Sequence, residues 1–272
     1  MKIAMSGANG FVATALKKAF PDVVVLERND STQQIVEKLQ GAYAVFNLAG
    51  APIAARWDEE YKKVLRSSRI DTTRKIVEAI NQSDVQHLIS TSAVGIYPNN
   101  VSCDESCTKL GDDFLGQLAR DWEAEALKCT KRTTILRFGV VLGKDGGALE
   151  KMLPAFESYM GGIIGNGLMM MSWIDIDDLV KIYAFILEKK LEGIFNATAP
   201  KPVSNMYFTR ALGKALHRPT FFPLPAFIVK MLFSEGAVVL LDSKEAYPKA
   251  LLEKGFVFDY PNVEASLEKI LA

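Results

Sequence analysis

The chain has 272 residues, 49% of them apolar and 24% charged, and its 32 basic and 32 acidic side chains cancel to a formal net charge of zero. That length and apolar content suffice to bury a large core, as one big domain or as a core with a lobe. The balanced charge, with no block of one sign, excludes the electrostatic footprint of a nucleic-acid binder, and no apolar stretch is long enough to suggest a membrane span. The opening MKIAMSGANG begins a strand rather than a signal peptide with a basic start, so the cytoplasm is the expected location. Cys103, Cys107 and Cys129 cannot all pair, and His87 and His217 are the only histidines. A structural metal, which needs four convergent ligands in the case of zinc, is therefore not expected.

In chain order, short apolar runs alternate with helical patterns. KIAMS (2–6) predicts a buried strand that runs into SGANGFVATA (6–15), where Gly10 opens a helix and Ala13 sits one turn inside it. This order suits a pyrophosphate: Gly7 allows the tight turn, and Gly10 lets phosphate approach the first helical amides, whose positive end attracts it. Ala13 stands where a third glycine is usual and is still small enough for close packing of helix on strand. Gly7, Asn9, Gly10, Phe11 and Val12 are the candidate cofactor-binding residues of this turn. DVVVLE (22–27) is the second predicted strand. Its tip should meet the adenosine ribose, with an acid for a free 2′-hydroxyl or a cation for a 2′-phosphate. Glu27 and Arg28 offer both; the planar fork of Arg28 can clamp a phosphate, so NADP(H) is favoured and NAD is the alternative.

YAVFNLAG (43–50), HLISTS (87–92), TTILRFG (133–139) and GIFNATA (193–199) are further predicted strands. Between them, residues 58–81 place Tyr61, Leu65, Ile76, Val77 and Ile80 near one helical face, and 113–128 do the same for Phe114, Leu118, Trp122, Ala126 and Leu127. Strand and helix in repeated alternation predict an α/β fold, a doubly wound parallel sheet with helices on both faces. After residue 145 the rhythm changes. The expected division is a Rossmann domain at 1–200, with a lid-like insertion at about 146–170, and a smaller C-terminal lobe at 201–272 on the substrate side. GGIIGNGLMMMSW should form a mobile cover ahead of a strand at 169–174. A pocket beneath it would be largely apolar if Met169, Met171, Trp173, Phe221, Phe222 and Phe227 line it; core packing is the alternative for most of them. Such a pocket disfavours a sugar nucleotide, whose diphosphate needs cations.

SGANGFV, FNLAG, LISTSAVGIY, ILRFGVVLG and SWIDIDDLV, in this order, resemble the extended or atypical short-chain dehydrogenase/reductase superfamily over residues 1 to about 200. NLAGAPI followed by RW, SSRIDTTRKIVEAI, the loop GGALEKMLPAFESYMGGIIGNG and the tail EAYPKALLEKGFVFDYPNVEASL are similar to one subgroup of it. Its members are NAD-dependent epimerase/dehydratase-like proteins with a C-terminal domain of unknown function. The resemblance implies that Leu48, Ala49 and Gly50 lie against the adenosine part of the cofactor, that Arg69 faces the dinucleotide unless it is merely a solvated helix residue, and that Thr91 is a cofactor-binding position.

The same resemblance implies a Ser or Thr at the end of the fourth strand, and on the next long helix a Tyr with a Lys four residues later. Lysine and the positive cofactor lower the tyrosine pKa, so that it trades a proton while hydride moves. Ser92 fits the first position. Glu123 in FLGQLARDWEAEA matches a Glu that follows the Lys by four residues in related proteins, which puts Leu115 at the Tyr position and Ala119 at the Lys position. Neither transfers a proton, and no Tyr or Lys lies between Gly111 and Leu127. Ser92 and Tyr97 are left as candidate catalytic residues. A strand-end serine is as often structural, and packing is the favoured role for Tyr97, because relatives that keep the usual Tyr also carry an aromatic here. Asp104 and Glu105 read as solvated loop acids, and Gln117 could orient a substrate. Arg137, if buried, needs a phosphate or carboxylate partner. Asp175 stands where kin often carry His, and Asp177 and Asp178 favour a helix start.

Two functions follow as expectations. One is an NADP(H)-dependent oxidoreductase or epimerase-like enzyme with unorthodox proton transfer, its partner a small carbonyl or alcohol substrate. The other is a dinucleotide-binding or redox-sensing module that acts through a partner. The oligomeric state does not follow from the sequence.

Overall fold

The computed structural model describes residues 1–272. Six parallel strands form the central sheet: β1 (Ile3–Ser6), β2 (Val23–Leu26), β3 (Ala44–Asn47), β4 (His87–Ala93), β6 (Arg132–Phe138) and β10 (Gly193–Ala197). Their spatial order is β10-β6-β4-β3-β1-β2. β1 pairs with both β2 and β3, Ile3 facing Val23 on one side and Ala44 on the other. The chain therefore winds to one side of β1 first and to the other side afterwards. A crevice opens at the carboxyl edge where this reversal occurs, between β1 and β3.

Side chains alternate through the sheet, and each face builds its own core. Ile3, Met5, Phe46, Ile89 and Leu136 join Leu16 of α1 (Phe11–Ala19) and Leu179, Ile182 and Ile186 of α7 (Ile176–Lys189). Ala4, Val45, Leu88 and Ile135 join α2 (Thr32–Lys38), α4 (Thr72–Asn81) and α5 (Phe114–Ala126) through Ile35, Ile76, Ile80 and Ala126. Helices on both faces of a parallel sheet complete a doubly wound α/β, Rossmann-like fold.

The helix expected at 58–81 is divided. α3 (Glu59–Arg66) starts at Asp58, whose carboxylate accepts the Tyr61 amide, and a wide π-turn at Ser67–Asp71 separates it from α4. The strand expected at 169–174 is also divided. β8 (Met170–Met171) pairs with β11 (Val203–Ser204) and β12 (Lys244–Ala246), whereas β9 (Trp173–Asp175) pairs with β7 (Val140–Leu142). The switch falls at Ser172, whose hydroxyl donates to Lys244 O and accepts from Ala246 N. β5 (Val101–Cys103) completes the small sheet beside β12.

The remaining helices are α6 (Gly147–Glu157), α8 (Asn205–Ala215), α9 (Ala226–Phe233), α10 (Val238–Leu241), α11 (Lys249–Glu253) and α12 (Val263–Leu271). Phe208 and Leu212 of α8 pack with Leu267 and Ile270 of α12 around Trp173. Leu251, Phe256 and Phe258 enter the same core as Ile3 and Met5. No helix is long and apolar enough to cross a membrane.

Candidate functional site

At the end of β1 the chain turns at Gly7, where φ is +66° and a Cβ would stand 2.8 Å from Leu48 O. A positive φ and a backbone this close both demand glycine. Gly10 N–H donates to Gly7 O (2.9 Å) and closes the turn. Gly10 caps α1 without a side-chain acceptor, so the first amides of α1 have no acid or hydroxyl of their own. Ala13 is buried against the sheet, and the Phe11 ring and the Gly143–Gly147 backbone are so close that Cβ atoms at Gly143 and Gly146 would lie 2.5 Å from the ring. Asn9 is exposed and Val12 half-buried.

Polar groups under the turn fix β1 to β3. Ser6 Oγ donates to Asn47 Oδ1 (2.8 Å) and accepts from the amides of Leu48 and Ala49. Asn47 Nδ2 donates to Thr73 Oγ1 and Ser90 Oγ, and Trp122 Nε1 also donates to Thr73. Sequence reasoning missed Ser6, Asn47 and Thr73; a polar residue ending each otherwise apolar strand, IAMS and AVFN, was the available signal.

Arg69 lies in the π-turn with its guanidinium against Gly50, where a Cβ would stand 3.1 Å from it. It donates to Ala51 O (2.9 Å) and Leu65 O (3.3 Å) and stacks near Trp122, 5.4 Å from the ring. No carboxylate pairs with it, and burial pushes its pKa down to about 10. A half-buried cation without an acid partner, held against Gly50, fits an anionic ligand such as a dinucleotide phosphate. Arg28 is exposed past the tip of β2, and its carbonyl accepts from Lys75 (3.2 Å). Thr91 is half-buried, with Oγ1 3.5 Å from the Tyr183 hydroxyl. The turn, Leu48–Gly50 and Arg69 come together; Arg28 stands at the adjacent strand tip.

Past the end of β4, Ala119 is buried on α5, and Leu115 lies under Gly95, 3.6 Å from a Cβ placed there. Ser92 is 1% exposed, and its hydroxyl donates to Glu123 Oε1 at 2.6 Å. The Glu123 carboxylate takes a two-pronged contact from Arg137, Nε to Oε1 and Nη2 to Oε2, both 2.8 Å. Arg137 Nη1 donates to the Tyr97 hydroxyl (2.9 Å), which donates onward to Asn196 Oδ1 (2.8 Å). Burial pushes Tyr97 up to about 12, against the lowering effect of Arg137. Burial also disfavours the Arg137 charge, but Glu123 outweighs it and raises the Arg137 pKa. The expected carboxylate partner of Arg137 is thus Glu123. Both candidate hydroxyls are committed within a buried ion pair, and either reaches a ligand only by breaking it.

Several other acids differ from expectation. Glu105 is not simply solvated: it accepts from the amides of Asn196 (2.8 Å) and Ala250 (3.1 Å), and burial raises its pKa despite them. Asp104 accepts from Ser106, which lowers its pKa. Asp175 is wholly buried, accepting from Asp177 N, Ser266 Oγ and Lys269 Nζ, and Asp178 accepts from the amides of Asp259 and Tyr260. Gln117 donates to Asp112 O at the exposed start of α5. The apolar pocket requires correction. Trp173 is sealed in a core, and Met171 packs against that core, while Phe221, Phe222 and Phe227 are 82%, 55% and 69% exposed. Of the six residues, only Met169 lines the open cleft of about 890 Å³ between residues 165–169, the loop after β4 and the α9–α10 segment.

Fold, glycine turn and switch-point crevice together define a dinucleotide-binding protein of the Rossmann class. The chain belongs to the NAD dependent epimerase/dehydratase family, which matches residues 3–197; a domain of unknown function (DUF1731) matches 224–270. It is 41% identical over 263 residues to the "Epimerase family protein SDR39U1 homolog, chloroplastic" of Arabidopsis thaliana, covering 93% of this chain and 74% of that one. The crystal structure of human epimerase family protein SDR39U1 (isoform 2) with NADPH superposes with a TM-score of 0.93 at 31% identity, covering 100% of this chain and 99% of that one. The UDP-glucuronic acid 4-epimerase of Bacillus cereus, in complex with UDP-glucuronic acid and NAD, shares the fold (TM-score 0.82) at 17% identity, covering 100% and 98%.

Proposed function

We propose that this chain binds NADP(H) in the β1–β3 crevice and holds a small carbonyl or alcohol compound against it. The observation that carries the proposal is Arg69, a half-buried guanidinium with no acid partner, held against Gly50 at the end of the loop whose Leu48 backbone abuts Gly7. The NADPH in the related human structure supports the choice of dinucleotide. When bound, the cofactor supplies a hydride. Residues Gly7, Asn9, Gly10, Phe11 and Val12 and the free amides of α1 hold the pyrophosphate, Leu48, Ala49, Gly50 and Thr91 shape the crevice, and Arg28 meets the 2′-phosphate. Residues 1–200 form the cofactor domain, with about 146–170 as its cover, and 201–272 close the substrate side. Ser92, Tyr97, Glu123 and Arg137 keep the nicotinamide edge rigid, and proton transfer does not follow the Tyr–Lys route, since Leu115 and Ala119 stand there.

Fluorescence titration with NADPH and NADH tests this directly. NADPH should bind tighter, and Arg28→Ala should weaken NADPH far more than NADH. Silence from both nucleotides would sink the proposal; an unchanged ratio in Arg28→Ala removes the role given to Arg28. A second function, a module that senses NADP(H) and acts through a partner, is favoured by the commitment of the Ser92 and Tyr97 hydroxyls to buried partners. Oxidation of bound NADPH by any of a panel of small carbonyl compounds decides for the enzyme; its absence across the panel decides for the module.

A further inference from the structure

The open cleft of about 890 Å³ lies between the loop after β4, residues 165–169 and the α9–α10 segment. Gly236, next to its rim, abuts Ala55 and Trp57 in the loop that leaves Leu48–Gly50, and Glu235 of the lining bonds to Lys62 (2.5 Å). Two lining residues with a Cβ have positive φ. Asn100 (φ 58°) and Ser234 (φ 53°) are two of the five non-glycine residues with positive φ in the whole chain. Ser234 combines its φ with ψ −130°, a region open to glycine and hostile to a residue with a Cβ.

Asn100 is held by Ser243, outside the lining, and Ser234 by Lys230 and Ala237, within it. Asn100 N–H donates to Ser243 O (3.0 Å), Ser234 N–H to Lys230 O (2.8 Å), and Ser234 O accepts from Ala237 N (3.2 Å). Strain of this kind persists only where the surroundings over-determine it, and it collects at ligand clamps.

The polar groups on these two residues are also unspent. Asn99 uses its carboxamide on Asp242 and Ser243, and Asn166 accepts from Leu168 N, whereas the exposed Asn100 carboxamide and the half-buried Ser234 hydroxyl make no hydrogen bond within the chain. The acids of the lining are already matched, Glu235 by Lys62 and Asp242 by Lys244 at 3.6 Å. Lys230 is the single unmatched charge, and it is exposed.

We infer that this cavity binds a neutral small molecule with hydroxyl or carbonyl groups beside an apolar portion. Asn100 and Ser234 form its hydrogen-bonding clamp, and Leu168, Met169 and Leu241 receive the apolar portion. A nucleoside diphosphate sugar is excluded, because one exposed ammonium is a poor match for two phosphates. The volume lies within the roughly 300–1,000 Å³ usual for small-molecule sites. That this molecule is the substrate rests on the cofactor proposal; that it binds does not.

Asn100→Gly and Ser234→Gly test the clamp without endangering the fold, since each supplies the residue its backbone favours and should leave Tm equal or higher. Saturation-transfer NMR with a set of neutral hydroxyketones and hydroxyamides, and separately with UDP-glucose, is run on wild type and both variants, with and without NADPH. Fluorescence reports NADPH binding on the same samples. Neutral probes should bind wild type and lose affinity at least about fivefold in each variant as the hydrogen bonds go, with NADPH binding unchanged and UDP-glucose silent. The proposal is overturned if no neutral probe binds, if the variants bind them equally well, or if UDP-glucose binds and both variants abolish it. Neutral probes that bind and respond to the variants while NADPH fails to bind support the cavity and overturn the cofactor proposal.

Discussion

Single residues show how burial decides chemistry. His87 is wholly buried at the start of β4, its Nε2 2.8 Å from Thr134 Oγ1. Because the Thr134 hydroxyl donates to Leu191 O, it accepts the Nε2 proton, and Nδ1 is left without a partner. Burial pushes the His87 pKa down to about 4, and Arg132 adds to the shift. The unfolded chain takes up this proton near pH 6.5 while the native chain does not, so the associated stability is complete above about 6.5 and falls as pH drops towards 4. Urea unfolding at pH 7, 6 and 5 should show a loss approaching about 1.4 kcal/mol per unit in the lower part of this window, and His87→Gln should flatten it. The glycine turn was legible because Gly7 and Gly10 meet a local backbone demand. The fate of the Ser92 and Tyr97 hydroxyls was not, because Glu123 and Arg137 lie 31 residues from Ser92 and 40 from Tyr97 along the chain.

Elements carry these residues together. Glu123 on α5 ties that helix to β4 through Ser92 and to β6 through Arg137, with side chains only 8% and 5% exposed in the ion pair. Glu123→Gln keeps the shape but strands the Arg137 charge, and removing one partner of such a pair costs about 3–5 kcal/mol. Denaturant unfolding measures this, and a change under about 1 kcal/mol would place the pair among weak surface bridges instead. The long amphipathic pattern at 58–81 was visible as helix, but its π-turn at Ser67–Asp71 was not. Periodicity reports which face is apolar; it does not register an extra residue in a turn, and that residue's neighbourhood is what brings Arg69 to Gly50.

At the scale of the molecule, the C-terminal stretch is part of the principal core: Leu251, Phe256 and Phe258 pack in the cluster that holds Ile3 and Phe46. A fragment of residues 1–200 would leave that apolar surface open to water. It should show no cooperative thermal transition by circular dichroism and should be digested far faster than the whole chain; a cooperative transition would show that the sheet does not need the tail. By itself, the sequence determined the alternating strands and helices, the parallel sheet, the glycine turn and the absence of Tyr and Lys from residues 111–127. Each of these is written in local periodicity, in a backbone demand for glycine, or in side chains that are simply not there. Only the tertiary structure decided that β3 lies on the opposite side of β1 from β2, that Ser92 and Tyr97 close on Glu123 and Arg137, and that a mixed cavity at Asn100 and Ser234 replaces an apolar one. These depend on which distant segments meet, and contacts between segments far apart along the chain leave no periodic trace in either of them.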